Sequence, residues 1–105
     1  MSSNTTGWSN IAIGDAALLN NTTGDRNIAI GGGALRTNTG LYNTAIGSDA
    51  MYENTEGRQN SALGLKALRT NTTGSNNVGI GDQSGQYNTT GFYNTFVGSE
   101  SQNDD

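Results

Sequence analysis

The chain writes one phrase six times. Aligned on an Asn-Thr pair, its 105 residues divide into units at 4–20, 21–37, 38–53, 54–70, 71–87 and 88–105. Successive units start 17 residues apart, except that the third is one residue shorter and reads NTG where the others carry a four-residue turn. The shared phrase is N-T-T-G-x-x-N-x-A-I-G-x-x-A-L-x-x. Four columns are filled identically in all six units. One Asn column is Asn4, Asn21, Asn38, Asn54, Asn71 and Asn88, and the other is Asn10, Asn27, Asn43, Asn60, Asn77 and Asn94. One Gly column begins at Gly7 and the other at Gly14. A period of this length is too short for a helix pair or a propeller blade. It fits one coil of a parallel β-solenoid, with two short strands and two turns per coil.

The local chemistry agrees with that reading. In Asn-Thr-Thr-Gly the Asn side chain can bond the backbone two residues on, and Gly is expected to supply a positive φ. NIAIG, NTAIG and NSALG read as short strands closed by glycine. The second half, with Ala-Leu or Ala-Met, reads as a shorter strand or bend. Proline is absent, as suits a chain whose N–H groups serve neighbouring coils. The expectation is an all-β fold. Residues 4–98 form a single six-repeat solenoid, and 99–105 (SESQNDD) form a polar C-terminal cap or tail.

Side chains alternate along a strand, so each unit has a bulky and a small face. Ile13, Ile30, Ile46, Leu63, Ile80 and Val97 are expected to form the core column, with Leu18, Leu35, Met51 and Leu68 facing it. That second column fails at Gly85 and Gln102, which predicts a core that tapers. The Asn columns are expected to bond along the solenoid axis, as in other stacked β structures. The opposite face carries Ala12, Ala29, Ala45, Ala62, Gly79 and, in the last unit, Phe96. It is small enough for a second backbone to approach closely.

At NIAIG, NTAIG and NTTG the chain resembles two related repeat groups. One is the head of trimeric autotransporter adhesins, and the other, closer in its turn and its Ala-Leu step, is found in phage and prophage tail fibres. The resemblance covers residues 4 to about 98, and the unit here is longer than the adhesin-head repeat. It implies a left-handed β-roll, an in-register homotrimer, a shaft or head role on a virion or cell surface, and attachment to a host receptor or glycan.

Composition narrows the function classes. Hydrophobic residues make up 31% of the chain, a lean supply for a lone core, which also favours assembly with further copies. The formal charge of −4, with only five Lys and Arg, argues against a nucleic-acid partner. No apolar run approaches a membrane span of about 18 residues, and MSSNTTGWSN lacks the features of a signal peptide. Without His or Cys the usual nucleophile–base pairs and zinc sites are missing, so no enzyme and no cofactor is expected. Asp49 and Glu53 of the third unit cluster with Glu56 at the start of the fourth but do not recur as a column, so they read as a solvated edge.

Two further function classes stay open. Thr5, Thr22, Thr39, Thr55, Thr72 and Thr89 form a column that an ice-binding solenoid would use, although the next Thr is adjacent and so points to the other face. Unless capped, the ends of a solenoid are open β edges, which would suit a self-assembling filament subunit, although SESQNDD should blunt the C-terminal end with charge. The candidate ligand surface is Trp8, Tyr42, Phe92 and Tyr93, which share the two variable positions before the second Asn with Asp25, Arg26, Arg58 and Gln59, and where aromatic rings beside Asn and Thr could stack on sugars.

Overall fold

The computed structural model describes residues 7–102; Asn4, Thr5 and the last three residues lie outside the described part. Each unit contributes one three-residue strand: β1 Ile11–Ile13, β2 Ile28–Ile30, β3 Thr44–Ile46, β4 Ser61–Leu63, β5 Val78–Ile80 and β6 Thr95–Val97. The six strands stack in chain order as one parallel sheet. Every strand pairs in register with the next, Ala12 on Ala29, Ala29 on Ala45, Ala45 on Ala62 and Gly79 on Phe96. The result is an all-β solenoid without helix among the described residues, measuring 38 × 22 × 16 Å. The short third unit leaves this register untouched. Its missing residue is absorbed in the Asn38–Gly40 turn, where the Gly40 N–H donates to Asn38 Oδ1 at 3.1 Å.

The second half of each coil is a run of turns and contains no strand. In the first unit Ala17 N–H donates to Gly14 O, Leu19 to Ala16 O and Asn21 to Leu18 O, at 3.2–3.3 Å. Ala16 and Leu18 take left-handed conformations, with φ of 63° and 51°, and Leu35, Met51 and Leu68 repeat the second of these. Left-handed residues break the extended backbone a strand needs. They cost about 1–2 kcal/mol each outside glycine. Coil-to-coil bonds offset this, among them Leu18 N–H to Ala34 O and Leu35 N–H to Ala50 O, both 3.0 Å.

The corner before each strand is left-handed too, at Ser9, Arg26, Tyr42, Gln59, Asn76 and Tyr93. Gln59 is exposed with φ 55°, so Gln59→Gly should raise stability by about 0.5–1 kcal/mol, the relief of left-handed strain less the added chain entropy. Glu56→Gly, two residues past Asn54 and outside that conformation, should lower stability instead. Thermal unfolding of the two variants side by side checks the contrast.

The core corrects the parity assigned from sequence. Ala29, Ala45 and Ala62 point inward, and they pack on Leu18, Leu35, Met51 and Leu68, which are fully buried. The column expected there, Ile13, Ile30, Ile46, Leu63, Ile80 and Val97, stands on the outer face, with Ile13 59% and Val97 63% exposed. The coil is thin and holds one layer of large side chains, which the turn side supplies. A Cβ on Gly79 would already lie 2.9 Å from Leu68 Cγ. The asparagines settle the choice, since Asn27 and Ala29 share a face and Asn27 must be inside to make its bonds. Ala29 and Ala45, read as an approach surface for another chain, are therefore enclosed by their own coil.

The expected taper is replaced by a compensating pair. Gly85 stands where earlier coils have Leu or Met, and Phe96 where they have Ala or Gly. A Cβ on Gly85 would lie 2.6 Å from Phe96 Cδ2, so the phenyl ring fills the vacated space. Ser84 Oγ donates to Phe96 O at 2.8 Å and holds the strand in place. Residues 99–102 continue the sixth coil: Glu100 N–H donates to Asp82 O, and Ser101 O accepts from Gly85 N–H.

Candidate functional site

Two asparagine ladders run inside the solenoid. In the column before the strands, each Asn passes one backbone bond upward: Asn27 N–H donates to Asn10 Oδ1, Asn43 N–H to Asn27 Oδ1 and Asn60 N–H to Asn43 Oδ1, at 2.9–3.0 Å. Their Nδ2 groups donate to the turn glycine of the next coil, Asn27 to Gly40 O and Asn43 to Gly57 O, at 2.9 and 2.7 Å. The other column, which opens each unit, bonds side chain to side chain, Asn54 Nδ2 to Asn38 Oδ1 at 2.6 Å and Asn71 Nδ2 to Asn54 Oδ1 at 2.7 Å. Asn54 Nδ2 also reaches Gly57 O at 3.1 Å. The carbonyls of Gly24, Gly40, Gly57 and Gly74 are thus each held by two asparagines, one from each ladder. Asn21, Asn38, Asn54 and Asn71 in one column, and Asn27, Asn43, Asn60 and Asn77 in the other, are fully buried. Asn88 is nearly so, while Asn10 and Asn94 are partly covered near the two ends.

This clamp explains the turn glycine differently from the sequence reading. Gly24, Gly40, Gly57 and Gly74 do not have positive φ. They are glycine because backbones meet here: a Cβ on Gly24 would lie 2.5 Å from Gly40 O. The positive φ belongs to the glycine that closes each strand, such as Gly31 at 126°. The Thr column is also engaged by backbone. Thr39, Thr55 and Thr72 donate their hydroxyls to the O of the Thr one coil on, at 2.9–3.2 Å. Asn21, Asn71 and Asn88 of the Asn-x-Thr sequences are buried, which withholds them from glycosylation in the folded chain.

Outside, the sheet presents two side-chain columns per strand. One is Ile11, Ile28, Thr44, Ser61, Val78 and Thr95; the other is the aliphatic column from Ile13 to Val97. Ile11, Leu63 and Ile80 are 41–49% exposed. This is an in-register, mostly β-branched surface with no polar group larger than a hydroxyl.

Flanking that face, the corner before the strands carries the aromatic candidates. The structure brings Trp8 and Tyr42 together through Arg26, which occupies the same variable positions before the second Asn. The guanidinium lies 4.5 Å from the Trp8 ring centroid and 5.5 Å from that of Tyr42, and Nη1 donates to the Tyr42 hydroxyl at 3.1 Å. Trp8 N–H donates to Asp25 Oδ1 at 2.9 Å, pinning the start of the stack. Phe92 and Tyr93 sit on the same corner but three coils on from Tyr42, about 14 Å at β spacing. On the other corner Arg36 and Arg69 flank Tyr52, at 5.6 and 5.3 Å. The equivalence of Arg36 and Arg69, two units apart, is legible in the repeat, and Tyr52 is the residue at that place in the short unit between them. Arg69 also pairs with Glu53 at 3.4 Å. Among the described residues no group of three or more carboxylates is placed to hold a metal ion, and no helix is long and apolar enough to cross a membrane.

No family model, curated protein or solved structure matches this chain. The functional reading therefore rests on the geometry: a rigid ladder inside, an apolar sheet face outside, and an aromatic corner beside it.

Proposed function

We propose that the chain is a rigid module of a fibre or adhesin, of phage tail-fibre or bacterial-adhesin type, on a virion or cell surface. In this reading it is a left-handed solenoid that works as an in-register homotrimer, holding length and presenting a surface to a host receptor or glycan. The observation that carries the reading is the outward aliphatic sheet face. A lone chain would leave Ile11, Ile13, Leu63, Ile80 and Val97 41–63% exposed, side by side. Fully burying such a side chain contributes about 1.5–3 kcal/mol, and every coil repeats the opportunity. Closed rotational symmetry covers the face in all copies without leaving an unpaired patch. The inner ladders support the mechanical half of the reading, because each coil is fixed to the next by buried bonds. The ice-binding alternative has less behind it, since the Thr hydroxyls already serve the neighbouring coil.

Light scattering tests the assembly. Wild-type protein at micromolar concentration should show three times the 10.9 kDa chain mass. The Ile30→Lys, Ile46→Lys double variant should show one chain mass and keep its β-sheet circular dichroism, because both side chains point away from the core. A wild-type protein that is monomeric and cooperatively folded overturns the trimer.

A further inference from the structure

We propose that the corner preceding the strands, from Trp8 to Tyr93, binds an uncharged, extended pyranose oligosaccharide laid along the solenoid axis. This rests on the reading of the chain as a displayed fibre module, and it names the ligand class for that surface. The first ground is the placement of the aromatics. Of seven in the chain, only Phe96 is in the core. Trp8, Tyr42, Phe92 and Tyr93 all occupy the one corner and are 50–79% exposed. Large apolar rings this open lose free energy to water, and they do no packing inside the coil.

The second ground is that part of the surface is preorganised. Arg26 is held between two rings and by the Tyr42 hydroxyl, and Asp25 is anchored by the Trp8 backbone. A guanidinium and a carboxylate at adjacent positions offer donors and acceptors to paired sugar hydroxyls, while the flat rings accept the C–H face of a pyranose. Held side chains lose little freedom on binding.

The third ground is spacing and charge. Coils rise about 4.8 Å each, close to the length one pyranose adds to an extended chain, so successive rings would meet successive coils. Arg26 and Arg58 on this corner are balanced by Asp25 and Glu56, and the chain as a whole carries −4. That balance favours a neutral chain over an acidic polysaccharide or nucleic acid.

Trp8 is the only tryptophan, so its emission reports directly on the corner. The test titrates full-length wild-type protein with β-1,4-linked hexamers of glucose, mannose, xylose and N-acetylglucosamine, following Trp8 emission and calorimetric heat. At least one hexamer should bind saturably. Trp8→Ala, Arg26→Met and Tyr93→Ala, followed by calorimetry, should each weaken it about tenfold or more, the equivalent of one stacking or hydrogen-bonding contact. Tyr87→Ala, on the far corner and 70% exposed, should leave it unchanged. No response to any of the four hexamers overturns the proposal. So does tighter, salt-sensitive binding of a uronic-acid hexamer, which would make the ligand anionic. A Trp8→Ala variant that loses oligomeric mass in light scattering while the wild type binds no sugar would assign the corner to contact between copies. Light scattering of the wild type reads the trimer separately, so failure of sugar binding and failure of the assembly are told apart.

Discussion

Asn43→Ala is expected to lower the unfolding free energy by about 3–5 kcal/mol, although it removes only a small polar group. The Asn43 side chain makes four bonds from inside the coil: it accepts from Asn60 N–H and Asn60 Nδ2, and it donates to Gly57 O and Asn38 Oδ1. Truncation leaves the Asn60 N–H and part of the Gly57 carbonyl's bonding unmet in a site closed to water. Each such orphan costs about 1–3 kcal/mol. The loss should be cooperative, because Asn60 carries the ladder on to Asn77. Asn20→Ala, an exposed neighbour of the ladder, is the control and should shift stability by less than about 0.5 kcal/mol. Urea unfolding by circular dichroism measures both; equal losses would show that the ladder contributes no more than a surface asparagine.

Gly47→Ala should be harsher still, at about 4 kcal/mol or more, and should prevent the middle coils from forming. Its φ is 137°, and a Cβ there would lie 2.6 Å from Gly64 C and closer still to the Gly64 oxygen. Those are backbone atoms of the next coil, fixed by the Gly64 N–H bond to Ile46 O at 2.8 Å, so neither side can yield without breaking the stack. Gly98→Ala separates the two causes. Gly98 has φ 119°, but nothing lies within 4 Å of its added Cβ, so this variant carries the conformational cost without the collision. Amide exchange protection at Ala45 and Ala62 should collapse in Gly47→Ala and persist in Gly98→Ala. Similar protection in both would mean that the coils are less tightly stacked than the distances imply.

The period, the single strand in NIAIG and NTAIG, and the parallel stacking are legible in the sequence because they follow from repetition and turn chemistry. The facing of that strand is not. Ile28, Ala29 and Ile30 are all apolar, and a burial scale chooses the isoleucines. The deciding information is two residues away, in Asn27, whose bonds to Asn10 and Gly40 can be made only from inside. The turn side was equally hidden. Leu35, Met51 and Lys66 adopt positive φ, yet their residue types carry no such signal; the conformation is imposed by three successive turns and by the bonds to the next coil. At the aromatic corner, Trp8 and Tyr42 could be picked out as exposed rings. Arg26 falls in the same variable positions on the rung between them, but its seat between the two rings is a side-chain arrangement that the spacing alone does not specify.

The coils are joined in series, each to the ones beside it, and this gives the chain a distinctive mechanical character. Its hydrogen bonds lie along the long axis, so tension on the two termini loads the end coil first and leaves interior coils bonded on both sides. A folded coil occupies about 4.8 Å of the axis, whereas 17 residues of released chain reach at most about 60 Å. A solenoid that yields one coil therefore lengthens by roughly ten times what it gives up in folded height, and the next rung still stands. Under load the repeat behaves as a rope paid out turn by turn.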